Sequence, residues 1–446
     1  MWAAFRIGRC TFQAPPSKLP LRVTFLFLGA MMAVSLSLHV AYSYLLAPLN
    51  RQSSMTYIAD HIHKSGFQLG GDEIDYYHIA LNLMSGRGYS RSEVDKPPEP
   101  TAYRPPLFPA VLSVVFRIFG PSPQYGVWVN QALMILLIPL TFWLGSFLYG
   151  NRCGIAAATI VTLWPHGYYF GSDLLTEPLS AVFITITVGL IVRIVSFPSL
   201  RLAVAAGLAA GGAVLTRSNF AVIVAVLGFW FLFLPKQQNP LRTLFVFWSA
   251  VAIVLLPWAF RNYSVMNTFN PGTTGSGIVF AGAHNPQALA EYPGGWISPQ
   301  PLMPDIYRVA QMPETERDAY FWRMGFDFLT QQSPLTLFRL FVLKLFRLWI
   351  PGQRIVNDGV CFLCNVITSL LFSVPFFFSI LGLYLLSSQK PLFHLVILLL
   401  AGTTLVSILF WGSTRFRMPI EPILWVLAAF AMIRLIELRK PYKKPQ

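Results

Sequence analysis

The sequence predicts an all-α, polytopic membrane bundle of about ten transmembrane helices, with two long outer loops that carry interfacial helices. Three observations predict it. Hydrophobic residues make up 55% of the 446-residue chain and charged residues 11%, against roughly 25% charged in a soluble domain. Apolar runs near the roughly 20 residues that cross a bilayer recur along the chain. Lys and Arg gather on one side of those runs. This composition excludes an ordinary soluble enzyme. It also excludes a disordered chain, which needs low hydrophobicity and high charge.

The first span runs from Leu21 to about Leu46, preceded by Arg6, Arg9, Lys18 and Arg22. Its apolar run exceeds the roughly 7–15 residues of a cleavable signal core, so it reads as a retained helix. Further spans fall at about 125–149, 153–170, 174–195, 202–216, 219–235, 242–260, 363–388, 391–411 and 418–437. The 202–216 run is rich in Gly and Ala, which lets helices approach closely. An even number of spans puts both termini on one side. Arg152, Arg193, Arg201, Lys236, Arg242, Lys390 and the basic tail share that side, with Glu437 as its acid. A Lys/Arg excess marks the cytoplasmic side. The expected topology has both termini in the cytoplasm and the chain in the plasma (inner) membrane. The net charge of +15 belongs to these loops and does not imply nucleic acid.

Two outer segments are long, 48–124 and 261–362. They divide the chain into an N-terminal membrane module (1–260), a second outer region (261–362) and C-terminal membrane helices with a basic tail (363–446). In the first loop Ile74–Met84 reads as an amphipathic helix. Pro105–Phe119 is apolar but short and proline-led, and reads as an interfacial helix. Phe338–Trp349 reads the same way, with Arg339, Lys344 and Arg347 among leucines and aromatics. Asn270–Gln300 is Gly/Pro-rich and reads as irregular, whereas Pro313–Gln332 has a mixed-charge helical pattern. Cys361 and Cys364 form a C-x-x-C without the second pair of a zinc ribbon, and read as small buried hydrophobes.

The acids are few, so their placement is informative. Asp72-Glu73-Ile74-Asp75 opens the first amphipathic helix. Helix N-termini favour carboxylates, yet three in four residues exceed what capping needs. Asp72 and Asp75, three apart, share a face, while Glu73 points elsewhere. A carboxylate here suits a general base or a hard cation. Asp173 and Glu177 lie at an outer junction of two spans, where ionisable groups are costly and usually functional. They are four apart and share a face if a helix begins there. Arg104, Arg217, Arg261 and the pair Arg415 and Arg417 also lie at outer junctions. Arginine pairs bidentately with phosphate, so acids and arginines on one side suggest a pocket for a lipid phosphate beside an acceptor. There is no phosphate-binding G-x-x-x-x-G-K-[ST]; the glycine-rich Gly272–Gly277 is followed by no Lys-Ser/Thr.

These motifs, in this order, resemble the GT-C membrane glycosyltransferases, and among them the family 39 group of protein O-mannosyltransferases and the lipid A aminoarabinose transferase. The resemblance rests on Asp72-Glu73 with Tyr76, the run Tyr103-Arg104-Pro105-Pro106-Leu107-Phe108-Pro109, Thr176-Glu177, Leu215-Thr216-Arg217, Pro257-Trp258 with Arg261-Asn262-Tyr263, and Arg415-Phe416-Arg417-Met418-Pro419. It implies inverting transfer of a sugar from a polyprenyl- or dolichyl-phosphate donor to a glycan, lipid or protein on the outer or lumenal face. By resemblance Asp72 would be the base, with Glu73 supporting it. Arg104 would hold the lipid phosphate, helped by Arg261 or Arg417. Glu177, with Asp173 and Asp75, would shape the acceptor site or hold a divalent cation. The protein O-mannosyltransferases carry Pro-Pro-Leu-Gly-Lys where this chain has Pro-Pro-Leu-Phe-Pro, so the acceptor does not follow. A transporter or flippase of lipid-linked saccharides is the alternative. It would place its acids near the bilayer midplane, not at the boundary.

Overall fold

The computed structural model describes residues 5–7, 10–12, 20–46, 71–234, 239–303, 305–351 and 362–438. A three-residue strand pair, β1 (Phe5–Ile7) and β2 (Cys10–Phe12), precedes the bundle. The other described residues are mainly helices and their connections, with one isolated antiparallel bridge between Ser90 and Pro100. The helices of the first half are α1 (Leu21–Ala41), α2 (Asp72–Met84), α3 (Leu107–Phe119), α4 (Pro123–Tyr149), α5 (Asn151–Thr162), α6 (Pro165–Gly171), α7 (Glu177–Ser196), α8 (Leu200–Thr216) and α9 (Phe220–Phe229). Then follow α10 (Pro240–Met266), α11 (Ser276–Ala283), α12 (Pro286–Glu291), α13 (Ile306–Ala310), α14 (Glu314–Thr330), α15 (Pro334–Trp349), α16 (Phe362–Leu386), α17 (Lys390–Leu409), the single turn α18 (Thr414–Arg417) and α19 (Glu421–Leu438).

All ten apolar runs are helical, but only seven of the described helices are long and apolar enough to cross a bilayer. Three runs differ from the simple reading. The 153–170 run is two helices, because Trp164 before Pro165 is extended, with ψ 111°, as the residue before proline prefers. Helix α8 has 17 residues, and α9 tightens into a 3-10 turn at Trp230–Phe233. The small residues of α8 bring it against α10: a Cβ on Gly207 would stand 2.3 Å from the Phe247 carbonyl oxygen. Helices α7 and α19 are central, each 72% buried along its membrane window, against 22% for α1. Around them Trp164, Trp230 and Trp425 fill the core.

The first outer segment sits on one end of this bundle. Helix α2 lies on α3 through Tyr76, Ala80, Phe108, Leu112 and Phe116, and this cluster continues into Val127, Leu174 and Leu179. The far face of α3 leaves Val114, Ile118 and Phe119 exposed, and Leu335, Phe338 and Phe346 of α15 are exposed likewise. Both faces suit an interfacial position. The 270–300 stretch, read from sequence as irregular, contains α11 and α12. Cys361 lies outside the described residues, as does the side chain of Cys364.

Lys344 departs from the interfacial reading of its helix. It is 3% exposed, its Nζ lies 2.7 Å from His284 Nε2, and it donates to the Ile408 carbonyl at 2.9 Å. Burial pulls its ammonium down to about 7. The unfolded chain therefore binds a proton that the fold resists between about pH 7 and 10, and this penalty shrinks as pH rises through that window. Lys344→Met is expected to raise the melting temperature at pH 7.5. It should also remove a rise in stability that the wild type shows from pH 7 to 9. A thermal melt across that range checks both.

Candidate active site

Helix α2 begins at Asp72 because Gly71, at φ 53°, turns the chain in a conformation that favours glycine. Asp72 and Asp75 then project from one face, one turn apart. Arg104 meets both: its Nη2 donates to Asp72 Oδ1 at 2.7 Å and to Asp75 Oδ2 at 2.8 Å, and its Nε donates to Asp75 Oδ2 at 3.0 Å. Arg415 Nη2 lies 2.8 Å from Asp72 Oδ2, and Arg415 Nε donates to Glu177 Oε1. Arg217 donates to the same Glu177 oxygen. At the other end Arg91 stands 3.8 Å from Asp75 Oδ1. Carboxylates and guanidiniums thus alternate in a row: Glu177, Arg415, Asp72, Arg104, Asp75, Arg91.

The row is neither sealed nor fully solvated. Side-chain exposure is 30% for Asp72, 17% for Arg104 and 24% for Arg415, while Glu177 is fully buried and its Oε2 has no hydrogen-bond partner. Three carboxylates face four guanidiniums, counting Arg217, so the row favours an anion. Burial alone would raise the Asp72 carboxyl, but Arg104 and Arg415, with Arg217 behind them, hold it well below the usual carboxylate range. Burial works against the Arg104 charge, and its acidic neighbours, Asp72 foremost, overcome this and hold the guanidinium well above its ordinary value.

Other segments fix the loop that carries Arg104. Tyr89 Oη donates to the carbonyls of Arg104 and Pro105 at 2.9 and 3.0 Å. Glu314, on α14, accepts from Thr101 Oγ1 at 2.6 Å and from the Ala102 backbone N–H at 2.8 Å. Arg261 donates to the carbonyls of Thr101 and Tyr89 at 2.7 and 3.2 Å. Its guanidinium therefore braces the loop and lies outside the row.

The structure redistributes several sequence-read residues. Glu73 turns away as expected, and its Oε1 accepts from the Leu174 backbone N–H at 2.8 Å. Asp173 precedes α7, which begins only at Glu177, so the two do not share a helical face. Arg417 is fully buried and pairs with Glu421 at 2.7 Å. Arg415 takes the place in the row that sequence had offered to Arg417. Two residues on a helical turn point about 200° apart, a signal that the sequence did contain. The arginines already occupy the oxygens of Asp72, Asp75 Oδ2 and Glu177 Oε1. Among the described residues no group of three His, Cys, Asp or Glu side chains is placed to hold a metal. In this arrangement the arginines neutralise those oxygens.

Known proteins share parts of this sequence and this membrane bundle. Residues 103–260 match the family model of dolichyl-phosphate-mannose-protein mannosyltransferases. The structure is similar to the archaeal oligosaccharyltransferase AglB of Archaeoglobus fulgidus in complex with an inhibitory peptide and a dolichol-phosphate. That match has a TM-score of 0.50 and 14% identity over 96% of this chain and 53% of that one. It is also similar to the A. fulgidus oligosaccharyltransferase in complex with Zn and sulfate, with a TM-score of 0.52 and 16% identity over 92% and 49% of the two chains. ArnT of Cupriavidus metallidurans bound to undecaprenyl phosphate gives a TM-score of 0.40 and 15% identity over 90% and 78%. The chain spans about half the length of the oligosaccharyltransferases it resembles. No curated protein matches the sequence. The family model covers less than half of the chain, and the structural matches show a shared fold, that of a multi-pass integral membrane protein.

Proposed function

We propose that the protein transfers a sugar from a polyprenyl- or dolichyl-phosphate donor to an acceptor on the outer or lumenal face, by direct displacement. The observation that carries this reading is the row itself. Arg104 and Arg415 hold Asp72 between them, and both are partly exposed. A donor phosphate is the natural competitor for those guanidiniums, since phosphate takes charge-assisted, bidentate bonds from arginine. Paired with two arginines, Asp72 is a poor base. As the phosphate draws the arginines to itself, the Asp72 carboxylate is released and its proton affinity rises. The base is then active only when the donor is bound, which limits wasteful chemistry. The acceptor O–H (or N–H) attacks the anomeric carbon, the bond from that carbon to the phosphate oxygen breaks, and the proton passes to Asp72. The lipid phosphate leaves with the bonding electrons, and the arginines stabilise its added charge. The archaeal structure in complex with a dolichol-phosphate supports the donor class.

The test is mass spectrometry of lipid extracts from cells lacking the protein. A glycosyl phospholipid with a polyprenyl or dolichyl chain is expected to accumulate and to disappear on complementation with wild type. An unchanged lipid profile in the null would overturn the reading. Treating sealed vesicles of the null with a membrane-impermeant oxidant before extraction reads the leaflet, and a donor confined to the inner leaflet would indicate a flippase instead.

A further inference from the structure

A cavity lies between the two outer segments, beside the row. Its volume is about 110 Å3, and it lies between Arg91 and Tyr103 on one side and α14 on the other. Arg91 belongs to both places: its guanidinium faces Asp75, stacks 4.3 Å from the centre of the Tyr103 ring and lines the cavity. Arg91 therefore joins the cavity to the Asp75 end of the row, the end away from Glu177, Arg415 and Arg217. In-line displacement brings the nucleophile from the side opposite the leaving phosphate, so the cavity lies where an acceptor belongs.

Its polar groups are held in place. Asp318 Oδ1 accepts from the Gly277 backbone N–H at 2.5 Å, and Ser276 Oγ stands 3.4 Å from Oδ2. Trp322 Nε1 donates to that same Ser276 hydroxyl at 3.1 Å. The glycine-rich run noted in the sequence is explained here. A Cβ on Gly277 would come within 2.1 Å of the Asp318 carbonyl oxygen, and one on Gly275 within 2.7 Å of the Tyr103 carbonyl oxygen. Burial pushes the Asp318 carboxyl up to about 6, which leaves it ionised at pH 7.5. Arg317 is the third charged lining group, and Ile278, Met303 and Phe321 form an apolar wall.

We propose that this cavity binds a pyranose ring of the acceptor, with Asp318, Arg91 and Arg317 holding ring hydroxyls and the apolar wall taking the ring's C–H face. The proposal rests on the glycosyl-transfer reading above. A carboxylate accepts from two neighbouring hydroxyls, and a guanidinium donates to two oxygens. A small cavity with charged groups on one side and an apolar wall on the other suits a sugar ring better than a lipid chain.

The full chain in nanodiscs is tested by saturation-transfer NMR with methyl α-mannopyranoside, methyl β-glucopyranoside, methyl β-galactopyranoside, methyl β-glucuronide and a threonine tripeptide. The same samples are titrated with undecaprenyl phosphate. At least one glycoside is expected to bind the wild type. Asp318→Asn should weaken it by about ten- to a hundredfold, the worth of a hydrogen bond to a charged group, and Gly277→Ala should weaken it by displacing Asp318, whose backbone its Cβ would meet. Undecaprenyl phosphate binding should stay unchanged in both variants, which shows that they are folded. The proposal is overturned if no glycoside binds, if Asp318→Asn leaves glycoside binding unaltered, or if the tripeptide alone binds. Failure of the wild type to bind undecaprenyl phosphate counts against the donor reading alone, and the glycoside arm still decides the cavity.

Discussion

Asp72→Asn is expected to lower sugar transfer by about 10²–10⁴-fold, the range that a positioned general base contributes. The asparagine keeps the shape of the carboxylate and one oxygen to accept from Arg104, but it cannot take the acceptor proton. It also leaves Arg104 and Arg415 without one of their counter-charges. Binding of undecaprenyl phosphate should therefore hold or tighten while turnover falls. Asp75→Asn separates the two acids. Asp75 stays bridged to Arg104 through both Nε and Nη2 and makes no close contact with Arg415, so its loss should perturb the position of Arg104 and cost transfer less than the loss of Asp72. Lipid extracts of the complemented null strain supply the turnover measurement, and phosphate binding is read on the purified variants. Wild-type turnover in Asp72→Asn would end the base assignment. A larger loss in Asp75→Asn than in Asp72→Asn would move that assignment one helical turn along α2.

The membrane helices were legible because lipid as a solvent imposes a length and a composition, and both are local properties of the chain. The break at Trp164 was also local, yet an apolar count does not register what Pro165 does to the residue before it. Asp72, Asp75, Glu177 and Arg104 were legible as a set because few acids exist and all four lie on the outer side of the spans. Their pairing was not. Arg415 reaches Asp72 and Glu177 across hundreds of residues of chain, and Glu314 pins Thr101 across 213, so neither contact leaves a periodic trace in the sequence. The two-residue spacing of Arg415 and Arg417 implied that they point apart, but not which of them faces Asp72.

Arg417→Met should be the most destabilising of the substitutions considered, by about 3–5 kcal/mol, because it strands a buried partner charge. Arg417 Nε donates to Glu421 Oε1 at 2.7 Å, and its Nη1 donates to the carbonyls of Leu348 and Ile350 at 2.7 and 3.0 Å. The guanidinium also stands 4.9 and 5.0 Å from the ring centres of Phe372 and Phe376. Glu421 Oε2 in turn accepts from Trp164 Nε1 at 2.8 Å and lies 2.9 Å from His166 Nδ1. This network ties the end of α15 and the α5–α6 break to α19, and its Arg417 stands two residues from Arg415, the arginine that holds Asp72. Removing both charges at once is close to neutral when the shape is kept. Arg417→Met with Glu421→Gln is therefore expected to regain most of the lost stability, read as unfolding in mixed micelles. A single variant as stable as the wild type, or a double variant no better than the single, would refute the network's structural role. Turnover in the double variant then separates the two parts offered to Arg417. Recovery of transfer together with stability makes it a positioning residue that fixes Arg415. A stable but inactive double variant would return it to the phosphate, as the sequence had suggested.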